Sequence, residues 1–320
     1  MTTDAHRSRR LRFGLHTALP CGTELGVFAK SVQDAGLDVL TIPDHLVGSV
    51  SPFAGATAAA VATERLHVGT LVLNNDLRHP VETAREAATV AAISGGRFEL
   101  GLGAGHMKSE YDAAGIQFDS GGTRVDRLVE AVGVIRPLLA GEAVHVDGEH
   151  YRVHAEAGEL VAAPDVAVPL LVGGNGTRVL QLAGRVADIA GLAGFSHNRD
   201  ATRVELTHFH AAGLENRIAV VRDAAGDRFD AIELNALIQF VVHTDDRAAS
   251  AAELAAAFGG ISPEFVLDSP FVLLGTHEQM AEALLERQQR FGVSYWTVFD
   301  EWVGRASAMP DIAKVVALLR

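Results

Sequence analysis

Two histidines and an aspartate hold the groups best suited to proton transfer. Asp44-His45 follows the apolar run ending Ile42-Pro43, and His106 follows Gly101-Leu-Gly-Ala-Gly105. An imidazole exchanges protons near neutral pH, and a carboxylate beside it fixes its tautomer and charge. The plainer reading of Asp44-His45 is a helix cap with a histidine at the rim. Leu71-Val-Leu-Asn-Asn-Asp-Leu-Arg-His-Pro80 adds amides, a carboxylate, an arginine and a histidine in one turn. Asn74 can donate and accept toward a heterocycle edge. Asp76 and Arg78 are expected to pair as a salt bridge at the rim, with Arg78 and His79 structural.

Glycines surround these groups. Gly101, Gly103 and Gly105 let backbone approach a ligand, with Ala104 between them and Ser109, Glu110 and Tyr111 just beyond. Their spacing is not the dinucleotide fingerprint, because the third glycine comes one residue early. Leu170-Leu-Val-Gly-Gly-Asn-Gly-Thr-Arg178 runs from a strand into a helix. Backbone N–H groups of Gly173, Gly174 and Gly176, with donors on Asn175 and Thr177, suit an anion at the helix's positive end. The Lys-Ser/Thr ending of an ATP-binding P-loop is missing, and the plainer reading is a glycine-turned helix start.

Other chemistries find less support. Fourteen histidines invite a metal, but His145, His150 and His154 cluster on a hairpin, while His208 and His210 fall on different sides of an expected helix. No H-E-x-x-H occurs, and no metal is expected. Cys21 is the only cysteine, so intrachain disulfides and thiolate clusters are ruled out, and no G-x-S-x-G elbow occurs. The formal charge of −13 argues against nucleic acid. No signal-like leader and no apolar run long enough for a bilayer are evident, so a cytoplasmic protein off the membrane is expected.

Short β-rich runs alternate with alanine-rich helical runs along all 320 residues, and hydrophobic residues make up 48%. Strands are expected at 11–17, 39–42, 66–73, 97–102, 170–172, 187–192, 232–242 and 295–299. The helices fall near 24–35, 52–63, 81–93, 123–139, 177–185, within 201–225, and at 248–258, 278–291 and 310–319. Residues 1–10 read as a flexible leader, and the segment around Tyr111 as a loop. Asp147-Gly148 reads as a two-residue turn in a hairpin insertion at 144–153. A looser insertion spans about 243–275, including an apolar stretch at 265–274. Eight alternations without a linker point to a single (β/α)8 TIM barrel over 11–320, with a doubly wound sheet as the alternative.

The chain resembles the luciferase-like monooxygenase superfamily, in its coenzyme F420-dependent oxidoreductase branch. The motifs occur in order: Phe13-Gly14-Leu15, Ile42-Pro-Asp-His45, Gly69-Thr-Leu-Val-Leu-Asn74 with Arg78-His-Pro80, Gly101-Leu-Gly-Ala-Gly105 with Glu110-Tyr111, Val172-Gly-Gly-Asn-Gly-Thr-Arg178, Ala183-Gly-Arg-Val-Ala-Asp188 and Leu274-Gly-Thr276. The resemblance implies a deazaflavin or flavin at the strand C-termini, its phosphate near Gly174 to Thr177. It also implies a cis non-proline peptide at about Leu71-Val72, in a bulge that backs the ring. Asp44 and His45 match a pair beside the reactive centre, and His106 stands where some relatives have a glutamate acid.

The resemblance leads to hydride transfer between coenzyme F420 and a small organic substrate. Its alternatives are an FMN-dependent monooxygenase, a non-catalytic flavin-binding relative, or a cofactor-free lyase or isomerase holding a substrate phosphate. A homodimer is expected, and the Phe195 to Arg199 loop is expected to help form the pocket wall.

Overall fold

Eight parallel strands close on themselves in the computed structural model, which describes residues 3–19, 24–46, 49–198, 203–300 and 306–320. They are β1 (Arg12–His16), β2 (Val39–Ile42), β3 (His67–Thr70), β4 (Phe98–Gly103), β5 (Leu170–Gly173), β6 (Ile189–Ala193), β7 (Glu233–Ile238) and β8 (Tyr295–Phe299). The order is β3, β2, β1, β8, β7, β6, β5, β4, and pairing of β3 with β4 joins the ends. The expected (β/α)8 barrel is therefore present. Cys21 and Arg199 lie outside the described residues.

Strands buried on both faces need cover outside the sheet, and every residue of β2 and β4 is buried. That cover is α1 (Leu25–Asp34), α2 (Pro52–Ala62), α3 (Pro80–Ser94), α4 (Gly121–Leu139), α5 (Thr177–Val186), α6 (Ala211–Ala225), α7 (His277–Phe291) and α8 (Met309–Leu318). Small side chains let the helices lie close, as with the buried Ala84, Ala87, Ala88 and Ala91 of α3. Proline occupies the first turn of α2, α3 and α8, where its fixed φ suits a helix start and its missing N–H costs no bond.

At the N-terminal ends of the strands, Arg12 reaches Glu99 and Glu233 and lies over the Tyr295 ring at 4.5 Å. Burial opposes the charge on Glu99, but Arg12 and His67 hold its carboxyl below the usual range. An ionic plug on this side of a barrel supports the fold rather than chemistry. Residues 4–8 of the leader form one helical turn, and His6 is buried with Nε2 donating to Ile232 O at 3.0 Å.

Several local expectations need correction. The hairpin strands Val144–Asp147 and Arg152–Ala155 pair Asp147 with Arg152, so the connection has four residues rather than two. The Glu130 carboxylate of α4 fills that wider loop, accepting from the backbone of Glu149, His150 and Tyr151 at 3.0, 2.9 and 3.1 Å. The expected seventh strand is cut at Gln239: β7 stays in the barrel, while Phe240–His243 pairs in parallel with Val272–Gly275. The apolar stretch at 265–274 therefore holds a strand, and Pro263–Asp268 is a helix. Lys108–Ala114 around Tyr111 is also a helix. His210 caps the start of α6 instead of lying within it, its Nδ1 accepting from Gly213 N at 3.1 Å.

Candidate active site

The sequence-selected groups gather where β2, β3 and β4 end. Between Gly69 and Leu73 the third strand takes four steps while β4 takes three from Glu99 to Leu102, so one residue bulges out. The bulge contains a cis Leu71-Val72 peptide, at the position the resemblance implied. Thr70 bridges the gap, its Oγ1 donating to Gly101 O and accepting from Gly101 N, both at 2.9 Å. Leu71 and Val72 pack half-buried over Val39, Leu171, Ile189 and Tyr295.

Gly101 and Gly103 of β4, expected to clear a ligand, and Gly173 of β5, expected to offer its N–H to an anion, leave room for this bulge. A Cβ on Gly101 would lie 1.9 Å from Thr70 O, and on Gly103 or Gly173 it would lie 2.5 or 2.9 Å from the Val72 methyls. Gly105 has φ +76, and its Cβ would meet the Tyr111 hydroxyl at 2.2 Å and Asn74 Oδ1 at 2.4 Å. The Tyr111 hydroxyl is shared between Asn74 Oδ1 at 2.9 Å and Asp76 Oδ2 at 3.0 Å. Burial and Asp76 hold its pKa above the usual phenol range. Asn74 Oδ1 thus faces protein rather than a ligand edge.

The expected Asp76–Arg78 pair does not form. Arg78 makes a two-pronged contact with Asp44, and Asp76 pairs with Arg127 at 2.9 Å. Asp44 also accepts from Asn74 N at 2.9 Å, so its buried carboxylate holds the end of the third strand and both oxygens are occupied. Its neighbour is placed differently. His45 Nδ1 donates to Glu110 Oε1 at 3.0 Å, and its side chain is 26% exposed against 3% for the glutamate. That bond assigns the Nδ1–H tautomer and leaves Nε2 for exchange with a ligand. The exposed His106 ring stands edge-on to His45 at 5.6 Å, and Ser109 is exposed on the following helix.

His16, at the end of β1, was not selected from sequence. It is buried, with Nδ1 3.1 Å from Thr41 Oγ1. Burial and the proximity of His45 push its pKa down to about 3, which keeps it neutral. A polar residue closing the apolar run Phe13-Gly14-Leu15 was the signal available.

Beside β4, past the end of β5, α5 begins at Thr177 with no side chain capping its first N–H groups, and Gly176 and Thr177 are exposed. Gly174 fits under Val179, whose Cγ1 would lie 2.9 Å from an added Cβ. Ala104 offers its carbonyl to Arg124 Nε at 3.3 Å. Asn175, expected as a ligand donor, turns inward: its Nδ2 donates to Phe195 O, and its Oδ1 accepts from Ala193 N and Arg217. Arg217 is buried and donates also to Ala193 O, Gly213 O and His208 O, with no carboxylate partner among the described residues. Burial lowers its pKa to about 10, so it stays charged at neutral pH beneath the loop.

A family model described as luciferase-like monooxygenase matches residues 14–294. An F420-dependent glucose-6-phosphate dehydrogenase of Beutenbergia cavernae is 37% identical over 173 residues, 52% of this chain and 51% of the relative. The chain thus spans about half the length of that curated relative. A 5,10-methylenetetrahydromethanopterin reductase of Archaeoglobus fulgidus is 29% identical over 289 residues, 90% of this chain and 79% of the relative. The solved structure of an F420-dependent secondary alcohol dehydrogenase with an F420-acetone adduct superposes with TM-score 0.76 at 21% identity. That match covers 98% of this chain and 100% of the other, a likeness of fold. No helix among the described residues is long and apolar enough to cross a membrane.

Proposed function

Since the chain belongs to the luciferase-like monooxygenase family, we propose that it is an oxidoreductase moving a hydride between coenzyme F420 and a small organic substrate. The relative named as F420-dependent supports this choice of cofactor. The observation that carries the proposed chemistry is the His45–Glu110 pair, which leaves one imidazole nitrogen unused by Glu110 just past the end of β2, the strand that neighbours β3 and the half-buried Leu71 and Val72 that follow it.

The residues fit the group. Leu71 and Val72 offer a flat apolar platform, and the uncapped start of α5 offers N–H donors to a phosphate. Bound there, a deazaflavin supplies or accepts the hydride. His45 Nε2 takes the proton from an alcohol as hydride leaves it, or gives one in the reverse direction. Glu110 holds the imidazole in register and stabilises it when protonated. Asp44 positions the platform through Asn74 N and Arg78 rather than exchanging protons. Arg217 and Asn175 brace the phosphate loop from below, and the buried guanidinium adds positive potential to it. His106 is assigned to the substrate side, next to His45. The proposal includes a homodimer, supported by the 64% exposed Val27 and 70% exposed Val61 on neighbouring helices, and light scattering tests it.

Titration of purified protein with coenzyme F420 and, separately, FMN tests the proposal. Saturable quenching of deazaflavin fluorescence at micromolar concentration is expected, and binding of FMN alone would overturn the cofactor assignment.

A further inference from the structure

Beside the strand Phe240–His243, the fold brings together three side chains that sequence spacing keeps apart. His243 ends the strand Phe240–His243, which pairs in parallel with Val272–Gly275 so that His243 lies opposite Gly275. Thr244 N donates to Gly275 O at 3.1 Å, fixing the strand end. Two residues past Gly275, His277 opens α7, and the two imidazoles stack with centroids 4.1 Å apart and planes 7° from parallel. Asp311, in the first turn of α8, accepts from His277 Nε2 at 2.9 Å. One ligand atom from each of the three lies within 4.8 Å of the others.

We propose that His243, His277 and Asp311 bind one zinc-like transition-metal dication. Two imidazoles with one carboxylate form a donor set that suits zinc, cobalt or nickel, whereas calcium and magnesium take oxygen donors. Bonds of about 2.0–2.1 Å place tetrahedral donor atoms roughly 3.4 Å apart, so the three must draw in. His243 is exposed and can turn to do so, splaying the stacked rings to about 5 Å between centroids. Glu278, also in the first turn of α7, adds negative potential near both imidazoles; its carboxylate is engaged with Thr276 and its own backbone. The ion would tie the two-stranded annex to α8, with water in the fourth position. It has no part in the proposed hydride chemistry, so failure of either proposal leaves the other standing.

Chelator-treated full-length protein is titrated with Co2+ alone, followed by visible absorption, and with Zn2+ alone, followed by calorimetry. The expected result is one equivalent bound, tetrahedral Co2+ bands displaced by Zn2+, and a thermal midpoint raised by several degrees. His243→Ala, at an exposed position, and His277→Ala should each weaken binding at least tenfold, while the hairpin variant His145→Ala/His154→Ala should leave it unchanged. No saturable 1:1 binding, or binding that survives His243→Ala, would overturn the site, as would loss of binding in the hairpin variant.

Discussion

His45 Nδ1 and Glu110 Oε1 lie 3.0 Å apart, the glutamate buried and the histidine open to the barrel mouth. One nitrogen is committed to Glu110, and the proposed proton exchange uses the other. His45→Ala should lower turnover about 100-fold or more, the usual range for a lost general acid or base, with F420 affinity changed by less than about threefold. Glu110→Gln should cost roughly tenfold in turnover, since an amide can present the wrong partner to Nδ1. Steady-state kinetics beside binding titrations separate these effects; equal losses in turnover and affinity would make His45 a binding residue.

The Asn175–Arg217 brace gives a second expectation. Arg217→Met should weaken phosphate-bearing F420 at least tenfold while sparing a deazaflavin that lacks the phosphate. The two titrations are compared directly, with circular dichroism reporting on folding. Gly174→Leu should do the same by crowding Val179, whose Cγ1 would lie 2.9 Å from the added Cβ.

The bulge at the third strand predicts stability effects. Gly101→Ala forces a methyl to 1.9 Å from Thr70 O, and backbone cannot yield as a side chain can. A loss of about 3 kcal/mol or more is expected, read from urea midpoints. Gly121→Ala, at an open position, should be nearly neutral.

His16 makes stability depend on pH. Its folded pKa is about 3, against about 6.5 when unfolded, so the unfolded chain binds the extra proton between those values. Its contribution is fully present above about pH 6.5 and is lost as pH falls toward 3, at up to about 1.4 kcal/mol per pH unit. His16→Asn should flatten this part of the acid limb in urea titrations run from pH 7 to 4.

The barrel was legible because each strand is a short apolar run followed by polar groups or glycine, as in Val39–Ile42 before Asp44. What was not legible depends on partners distant in sequence. Nothing local says that Arg78 reaches Asp44 rather than Asp76, because that choice is made when β2 and the third strand lie side by side. Glu130 widens the hairpin loop from a helix outside it, and no residue of the Asp147-Gly148 turn records this. The glycines of β4 were conspicuous, but their neighbours proved to be Thr70 for Gly101 and Val72 for Gly103, which only the bulge reveals. His243, His277 and Asp311 show no metal-ligand spacing for the same reason.

Paired titration of the purified protein with coenzyme F420 and FMN tests the central claim most directly. Micromolar, saturable F420 binding that Gly174→Leu weakens and His45→Ala leaves intact is the predicted result. Tight binding of FMN with none of F420, or binding of neither, would contradict it.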